Sequence, residues 1–503
     1  MCGIMGVHGK HTSEFEAALA LLAHRGPDGR AIQQTGQAAL GHTRLAIVDV
    51  AGGQQPLSNP DQSRWLVCNG EIYNYPQLRA QHDRYPYKTN TDSEIILTLY
   101  EAYGEEAVRH LDGMFAFAIA DGDQLFAARD PLGIKPLYYG IHNGSFYFAS
   151  EIKALQESVE HIQEFPPGHY YITKRGFVRY YNMMWVGRDA ARIHAQPPQL
   201  EAISQTLREA VRKRLMADVP LGVFLSGGLD SSIIAALVAE FLPNVHTFSV
   251  GVKGSEDLRY GRMVADYLGT QHHECLYTIE NMVAALPDVI YHLESFEPSL
   301  VRSAIPNYFL ARLASQYVKV ALCGEGADEL YAGYQYLNQY QDTHQLHEEL
   351  IHLTSELYNL NLQRCDRMTM AHGLEGRVPF LDTEFIRLSL SISPEHKVVS
   401  DQRMEKWLLR KAFEHVLPAE VVWRVKKQFS QGAGSAFVFE QMAEDEISDA
   451  AFHGEAAAIC AETGYQIRSK EELFYYRELR RKLKNPSAVS LVRQWRGEPK
   501  LII

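Results

Sequence analysis

The chain has 503 residues, 46% of them hydrophobic and 22% charged. These are ordinary globular proportions, so a mainly disordered or collagen-like chain is excluded, and at ~150 residues per domain two to four domains are expected. Its 49 basic and 61 acidic residues leave a net charge of −12, which argues against a nucleic-acid partner. No run approaches the ~20 apolar residues of a membrane helix, and no basic-then-apolar leader opens the chain. The six cysteines, Cys2, Cys68, Cys275, Cys323, Cys365 and Cys460, form no C-x-x-C pair, which suits a reduced, cytoplasmic setting.

Residues 1–185 read as a β-rich α+β unit. Short strands at 66–68, 114–119 and 145–149 alternate with turn signals at Gly52-Gly53, Asp121-Gly122-Asp123 and Asn143-Gly144. Periodic stretches near 13–23 and 93–110 predict helices. A soft stretch at 186–200, with Pro197-Pro198, is the expected linker to a second domain over 201–503. There the rhythm changes. Apolar strands at 219–225, 245–252 and 318–323 alternate with helices at 231–241 and 259–268, the signature of an α/β unit with a parallel sheet. A basic cluster, Arg477, Arg480, Arg481, Lys482 and Lys484, reads as one solvated helix.

Removal of Met1 would leave Cys2 at the head of the chain, with an α-amine whose ordinary pKa of ~7.7–8.0 lets it take the thiol proton. Alone this is weak. The context is Cys2-Gly3-Ile4-Met5-Gly6, His24-Arg25-Gly26-Pro27-Asp28-Gly29, Gly41-His42-Thr43-Arg44-Leu45-Ala46-Ile47-Val48-Asp49, Asn69-Gly70-Glu71-Ile72-Tyr73-Asn74 and Thr91-Asp92-Ser93-Glu94. In that order the motifs resemble a class II glutamine amidotransferase domain, an N-terminal-nucleophile αββα sandwich. The resemblance implies Cys2 as nucleophile, with Asn69 and Gly70 as oxyanion donors. It implies glutamine held by Arg44, Ile47, Val48, Asn69, Glu71 and Asp92, with Arg44 as a fork for the carboxylate and Asp92 and Glu71 for the ammonium. Taken singly, Arg44 reads as a surface ion pair and Asp92 as a helix cap.

Leu225-Ser226-Gly227-Gly228-Leu229-Asp230-Ser231-Ser232 joins a predicted strand to a predicted helix, where backbone amides and the helix dipole favour an anion. It lacks the lysine of a Walker loop and resembles the pyrophosphate loop of AMP-forming ATPases. Cys323-Gly324-Glu325-Gly326-Ala327-Asp328-Glu329, Gly376-Arg377-Val378-Pro379-Phe380-Leu381-Asp382 and Trp423-Arg424-Val425-Lys426-Lys427-Gln428-Phe429-Ser430 extend the likeness to the asparagine synthetase B family over about nine-tenths of the chain. The resemblance implies ATP held by 225–228, Asp230, Ser231, Ser232, Val250 and Gly324. It implies Mg²⁺ on Asp230 and Asp328, acceptor contacts from Glu325, Asp328 and Asp382, and Lys426 as the catalytic lysine. It also implies a homodimer that makes asparagine from glutamine, aspartate and ATP. Two departures, Cys323 where serine is usual and 294–302 in place of E-T-Y-D-V-T-T-I-R, leave another carboxylate acceptor open. A β-lactam-forming ligase fits poorly with retained Cys2, Arg44, Asn69 and Asp92, and a phosphoribosyl transferase has no place for the 226–232 loop.

Three further clusters read as structural. His347 to His352 has one residue too many for a zinc helix, His272, His273 and Cys275 alternate faces of a strand, and Cys365 and Cys460 share no ligand spacing.

Overall fold

Strand Gly113–Asp121 shows how the first domain is built. Phe115, Phe117 and Ile119 face one way, into a cluster with Ile95, Leu99 and Tyr100, while Ala116, Ala118 and Ala120 face the other, against Ile4, Leu40 and Phe148. The period of two puts large side chains under helices and small ones between sheets. The structure is a computed structural model and describes residues 2–10, 14–191, 199–340, 342–400, 403–425, 432–434 and 437–495. One antiparallel sheet runs in the order Gln163–Glu164, Tyr138–His142, Ser145–Ala149, Gly3–His8, Ala38–Arg44, Gly29–Thr35. The other runs Gly176–Arg179, His169–Ile172, Gln124–Arg129, Gly113–Asp121, Arg64–Ile72, Leu57–Ser58. Helix Phe15–Ala20 covers the outer face of the first sheet and helix Glu94–Tyr103 that of the second, giving four layers.

The second domain is α/β. Its sheet has five parallel strands in the order Gln271–Leu276, His246–Gly251, Leu221–Phe224, Val320–Leu322, Glu375–Arg377. Chain order reverses between Leu221–Phe224 and Val320–Leu322, so a crevice opens beyond their C-terminal ends, where α/β proteins bind ligands. The 225–232 and 323–329 motifs leave from these two strand ends.

The predicted strands and helices occur with shifted ends. Helix Leu229–Phe241 begins two residues before its expected start, and the 93–110 helix breaks at Gly104 (φ 60°) into a 3₁₀ segment. Helix Met183–Ala191 occupies the start of the expected linker stretch, helix Leu200–Lys213 begins at its end, and 192–198 lie outside the described residues. The basic C-terminal segment corrects its reading as simply solvated. Helix Lys470–Lys482 buries Leu473, Tyr475 and Leu479, and an apolar stripe at helical spacing, read alongside the charges, would have shown it. His272 and His273 do part to opposite surroundings, His272 to Thr247 (3.0 Å) and His273 onto the Tyr317 ring.

One buried charge is costly. Lys397 is 4% exposed, and its ammonium reaches the Ser389 carbonyl at 2.7 Å and lies 5.5 Å from the Tyr331 ring centroid. Burial lowers its pKa to about 7. The unfolded chain therefore binds one more proton than the folded chain between pH 7 and the ordinary lysine range, so this group's contribution to stability rises with pH there. Lys397→Met is expected to raise the thermal midpoint at pH 7, a relief on the order of 4 kcal/mol before the lost hydrogen bond is subtracted. The gain should shrink towards zero by pH 10, which paired melts of variant and parent across that range will show.

Candidate active site

Cys2 sits at the start of the central strand Gly3–His8, 7% exposed. Its nitrogen donates to Asn69 Oδ1 at 3.0 Å and its sulfur lies 4.0 Å from the Leu45 carbonyl. Burial raises the thiol above its usual range, so ionisation needs a base at hand. Asn69 is fully buried and its Nδ2 has no hydrogen-bond partner, an amide donor left over beside the thiol. Gly70 follows it, opposite Phe115 in the next strand.

Arg44 is held by two backbone carbonyls, Asp49 at 2.6 Å and Val50 at 2.9 Å. The expected surface ion pair is thus replaced by a buried guanidinium with its charge uncompensated by those partners, suited to a ligand carboxylate. Ile47 is buried and its carbonyl accepts from the Asp218 amide of the second domain at 2.9 Å, while Val48 is half-buried. Asp92 accepts from the Ile72 amide at 2.6 Å, and burial raises its pKa to about 6. Glu71 is raised well above the carboxylate range by burial and then by the nearby charges of Glu375 and Asp92. The Arg377 guanidinium lies among these acids, 3.6 Å from Glu71 and 2.6 Å from Glu375. Glu375 and Arg377 belong to the second domain's edge strand, so this pocket is built from both domains. The sequence reading quoted Arg377 only within a motif and missed Glu375.

The second site lies at the reversal of the parallel sheet. Within the 225–232 loop, Ser226 Oγ lies 3.1 Å from Ser231 Oγ and accepts from the Gly228 amide at 3.3 Å, and the Gly227 carbonyl accepts from Arg424 at 3.3 Å. The loop opens the N-terminus of helix Leu229–Phe241, where free amides and the dipole attract anions. A cavity of about 460 Å³ is lined by Leu225, Ser226, Gly228, Asp230, Ser231 and, across it, Val250. Gly324, Glu325 and Asp328 line it as well. Gly324 is tightly placed, since a Cβ there would meet Asp230 Cβ at 2.9 Å and the Ser231 amide at 3.0 Å. Ser232 is fully buried, and its hydroxyl has no hydrogen-bond partner.

Asp230 and Asp328 converge on one cation, the Lys406 ammonium, which lies 2.6 Å from Asp328 and also bonds Asp230. Burial opposes its charge, but the two carboxylates outweigh it and raise Lys406 above the lysine range. Two hard carboxylate donors beside a phosphate loop are of the type that Mg²⁺ takes, and the Lys406 ammonium neutralises them here. Gly333 makes room for the cluster, because a Cβ would fall 1.8 Å from Asp328 Oδ1 and 2.3 Å from Lys406 Cε. Glu325 is ion-paired with Arg364, from helix Asn361–Met370. Lys406 and Arg364 escaped the sequence reading because a lone basic residue ahead of, or within, a helix carries no signal there.

Asp382 stands apart from this cavity. It caps helix Thr383–Ser391 and pairs with Lys213 at 2.6 Å and Arg214 at 2.9 Å. Lys426 lies outside the described residues. Cys365, read as structural, touches Cys323, with the sulfurs 3.4 Å apart at the cavity wall.

Residues 1–167 match the glutamine amidotransferase domain family, and residues 202–350 and 338–499 match the asparagine synthase family. The chain is 42% identical to the asparagine synthetase [glutamine-hydrolyzing] of Triphysaria versicolor, over 89% of this chain and 81% of that one. It is 39% identical to asparagine synthetase B [glutamine-hydrolyzing] of Escherichia coli K12, over 95% and 90%.

The packing at Gly333 sets an expected sign. Gly333→Ala should lower the thermal midpoint, by overpacking worth about 1–3 kcal/mol. Gly454→Ala, in helix Asp449–Thr463 with open space around it, should raise the midpoint through helix propensity worth about 1 kcal/mol. Parallel calorimetry of the two variants decides it.

Proposed function

Because the chain belongs to the asparagine synthase family and carries an amidotransferase domain, we propose that it is a glutamine-dependent asparagine synthetase, a carbon–nitrogen ligase. One observation carries the reading: the nucleophile pocket and the phosphate-loop cavity are joined through the strand Glu375–Arg377, whose side chains enter the first while its backbone pairs with the strand that leads into Cys323 and Gly324 at the second.

In this reading glutamine enters beside Cys2. Its carboxylate meets Arg44, and its ammonium meets Asp92 and Glu71, with Glu375 adding to the negative field. The Cys2 thiolate attacks the side-chain amide carbon, and Asn69 Nδ2 with the Gly70 amide receives the oxyanion. After loss of Met1, the Cys2 amine, held by Asn69 Oδ1, serves as the base. Ammonia leaves and water releases glutamate. At the other site ATP lies along Leu225, Ser226, Gly227 and Gly228 with Ser231 and Ser232, its base towards Val250, its phosphates on the helix N-terminus and Gly324 closing the seam. Asp230 and Asp328 would hold Mg²⁺, which neutralises the phosphate oxygens. Lys406 adds positive charge there, and Lys426 takes the catalytic role the family resemblance gives it. The aspartate side-chain carboxylate attacks the α-phosphate, pyrophosphate leaves, and ammonia arriving through the interior displaces AMP from the acyl adenylate. Glu325 and Arg364 offer one negative and one positive group to the acceptor's ammonium and carboxylate.

A second reading keeps the chemistry but changes the carboxylate. One feature favours it: within the departing 294–302 segment, Arg302 is turned to Glu471 and Glu297 caps its own helix and meets Arg468. We further propose the domain division at 186–200, from the soft stretch with Pro197-Pro198, a cytoplasmic location, from the sparse and scattered cysteines, and a homodimer, which the resemblance implies. Among the described residues no helix is long and apolar enough to cross a membrane.

A mass-resolved assay with glutamine, MgATP and aspartate should release glutamate, AMP, pyrophosphate and asparagine, with AMP tracking asparagine. Glutamate without AMP would sink aspartate as acceptor. Cys2→Ala should abolish glutamine-driven synthesis and keep ammonia-driven synthesis, and loss of both would break the two-site scheme. With Asp92 near 6, its charge is present above that pH and lost below it. The KM for glutamine should therefore climb, up to about tenfold per pH unit, as pH falls below 6, and Asp92→Asn should show the raised KM throughout and no such climb.

A further inference from the structure

Cys323 and Cys365 lie far apart in sequence, yet their sulfurs sit 3.4 Å apart, both side chains buried and both bordering the nucleotide cavity. Cys323 follows strand Val320–Leu322 and leads into Gly324-Glu325, and Cys365 stands mid-helix in Asn361–Met370, next to Arg364. Cys323 Sγ also lies 3.3 Å from the Arg377 carbonyl. No step above uses either sulfur.

Closing the pair to the ~2.05 Å of a disulfide takes a movement of about 1.4 Å. That movement falls on the wall where it costs most. Gly324 already packs against Asp230 and Ser231 with no space for a Cβ, and the next residue, Glu325, is tied to Arg364 beside the other cysteine. A bond between the sulfurs therefore staples the two elements that carry the acceptor-binding charges and shifts the seam between acceptor loop and phosphate loop.

We propose that Cys323 and Cys365 form a thiol-oxidation site, converted by a hydroperoxide to a disulfide that switches off the synthetase site. The proposal rests on the reading of this cavity as the synthetase site. The hydrogen bond with Cys365 and then burial raise the Cys323 thiol above its usual range. One sulfur of the pair, as its thiolate, takes one peroxide oxygen to give a sulfenic acid and hydroxide. The other sulfur then attacks the sulfenic sulfur, the S–O bond breaks, and the hydroxide and thiol proton leave as water. In sum two thiols and one hydrogen peroxide give one disulfide and two waters, the thiols losing two electrons to the peroxide. A dithiol reductant reverses it.

The test uses the full-length Cys2→Ala, Cys460→Ser protein, which lacks the nucleophile thiol and the exposed one, treated with hydrogen peroxide. Non-reducing peptide mapping should find a Cys323–Cys365 peptide about 2 Da lighter than its two reduced parts. Ammonia-dependent AMP release should fall by about a hundredfold, the scale of an ångström misplacement at an active site, and return with dithiothreitol. Cys365→Ala and Cys323→Ser in the same background should each keep their own untreated rate. Absence of the linked peptide, its presence without loss of rate, or equal loss in the single variants would each overturn the proposal. The linked peptide also stands by itself: its formation in a protein that releases no AMP from any carboxylate would sustain the dithiol and overturn the functional reading.

Discussion

Everything in this molecule hangs on a knot of buried charge where the domains meet. Glu151 lies inside it, 2.8 Å from Arg25, 2.7 Å from Arg367, 3.1 Å from His24 and bonded also to Lys153. Arg25 reaches across to Asp366 with two bonds, 2.8 and 3.2 Å, and Arg367 reaches on to Glu294 at 2.9 Å. Glu294, itself in left-handed conformation (φ 55°), accepts the Ile152 and Lys153 amides at 2.9 and 2.8 Å. Such groups are expensive to desolvate, and removing one partner strands the rest at a cost of about 3–5 kcal/mol. The arrangement therefore tolerates one relative placement of the domains and penalises others. Arg25 also donates to the Cys2 carbonyl at 3.1 Å, so the same knot sets the nucleophile's backbone.

Arg377 carries that constraint towards the second site. Its guanidinium lies with Glu71 and Glu375 in the pocket near Cys2 and bonds the Arg214 and Met216 carbonyls at 2.6 and 2.7 Å. Its own carbonyl accepts the Cys323 amide at 2.9 Å, where the 323–329 loop begins. One residue thus belongs by side chain to one centre and by backbone to the other, which gives the shared pocket a physical basis beyond covalent linkage.

Much of this was legible in the chain. Alternation revealed strand Gly113–Asp121, Asn143-Gly144 revealed the turn now seen with both φ angles positive, and the two glycine-bearing loops pointed to the cavity they now line, because each signal is local. The rest required the third dimension. Glu375 lies more than three hundred residues from Glu71, Cys365 looked like a stray thiol until helix packing brought it to Cys323, and Lys406 gains meaning from Asp230 and Asp328. Asp382 went the other way: its motif suggested a ligand contact, but its side chain is taken up by a helix cap and two basic neighbours. Long-range electrostatics, invisible to periodicity, decides each of these cases.

Helix Asn361–Met370 gives the point a sharper form. Arg364 serves the acceptor loop, Cys365 the sulfur contact, Asp366 the arginine behind the nucleophile, and Arg367 the acids at the domain seam. Each residue turns about 100° from the last, so four successive side chains address four directions. Loops elsewhere in the chain can lengthen or shorten during evolution at little expense. A single inserted or deleted residue in this helix would rotate every later side chain away from its partner and disconnect both chemistries together. The helix acts as an axle with fixed spokes, and it predicts that among descendants of this sequence the length of this segment will change less than its composition.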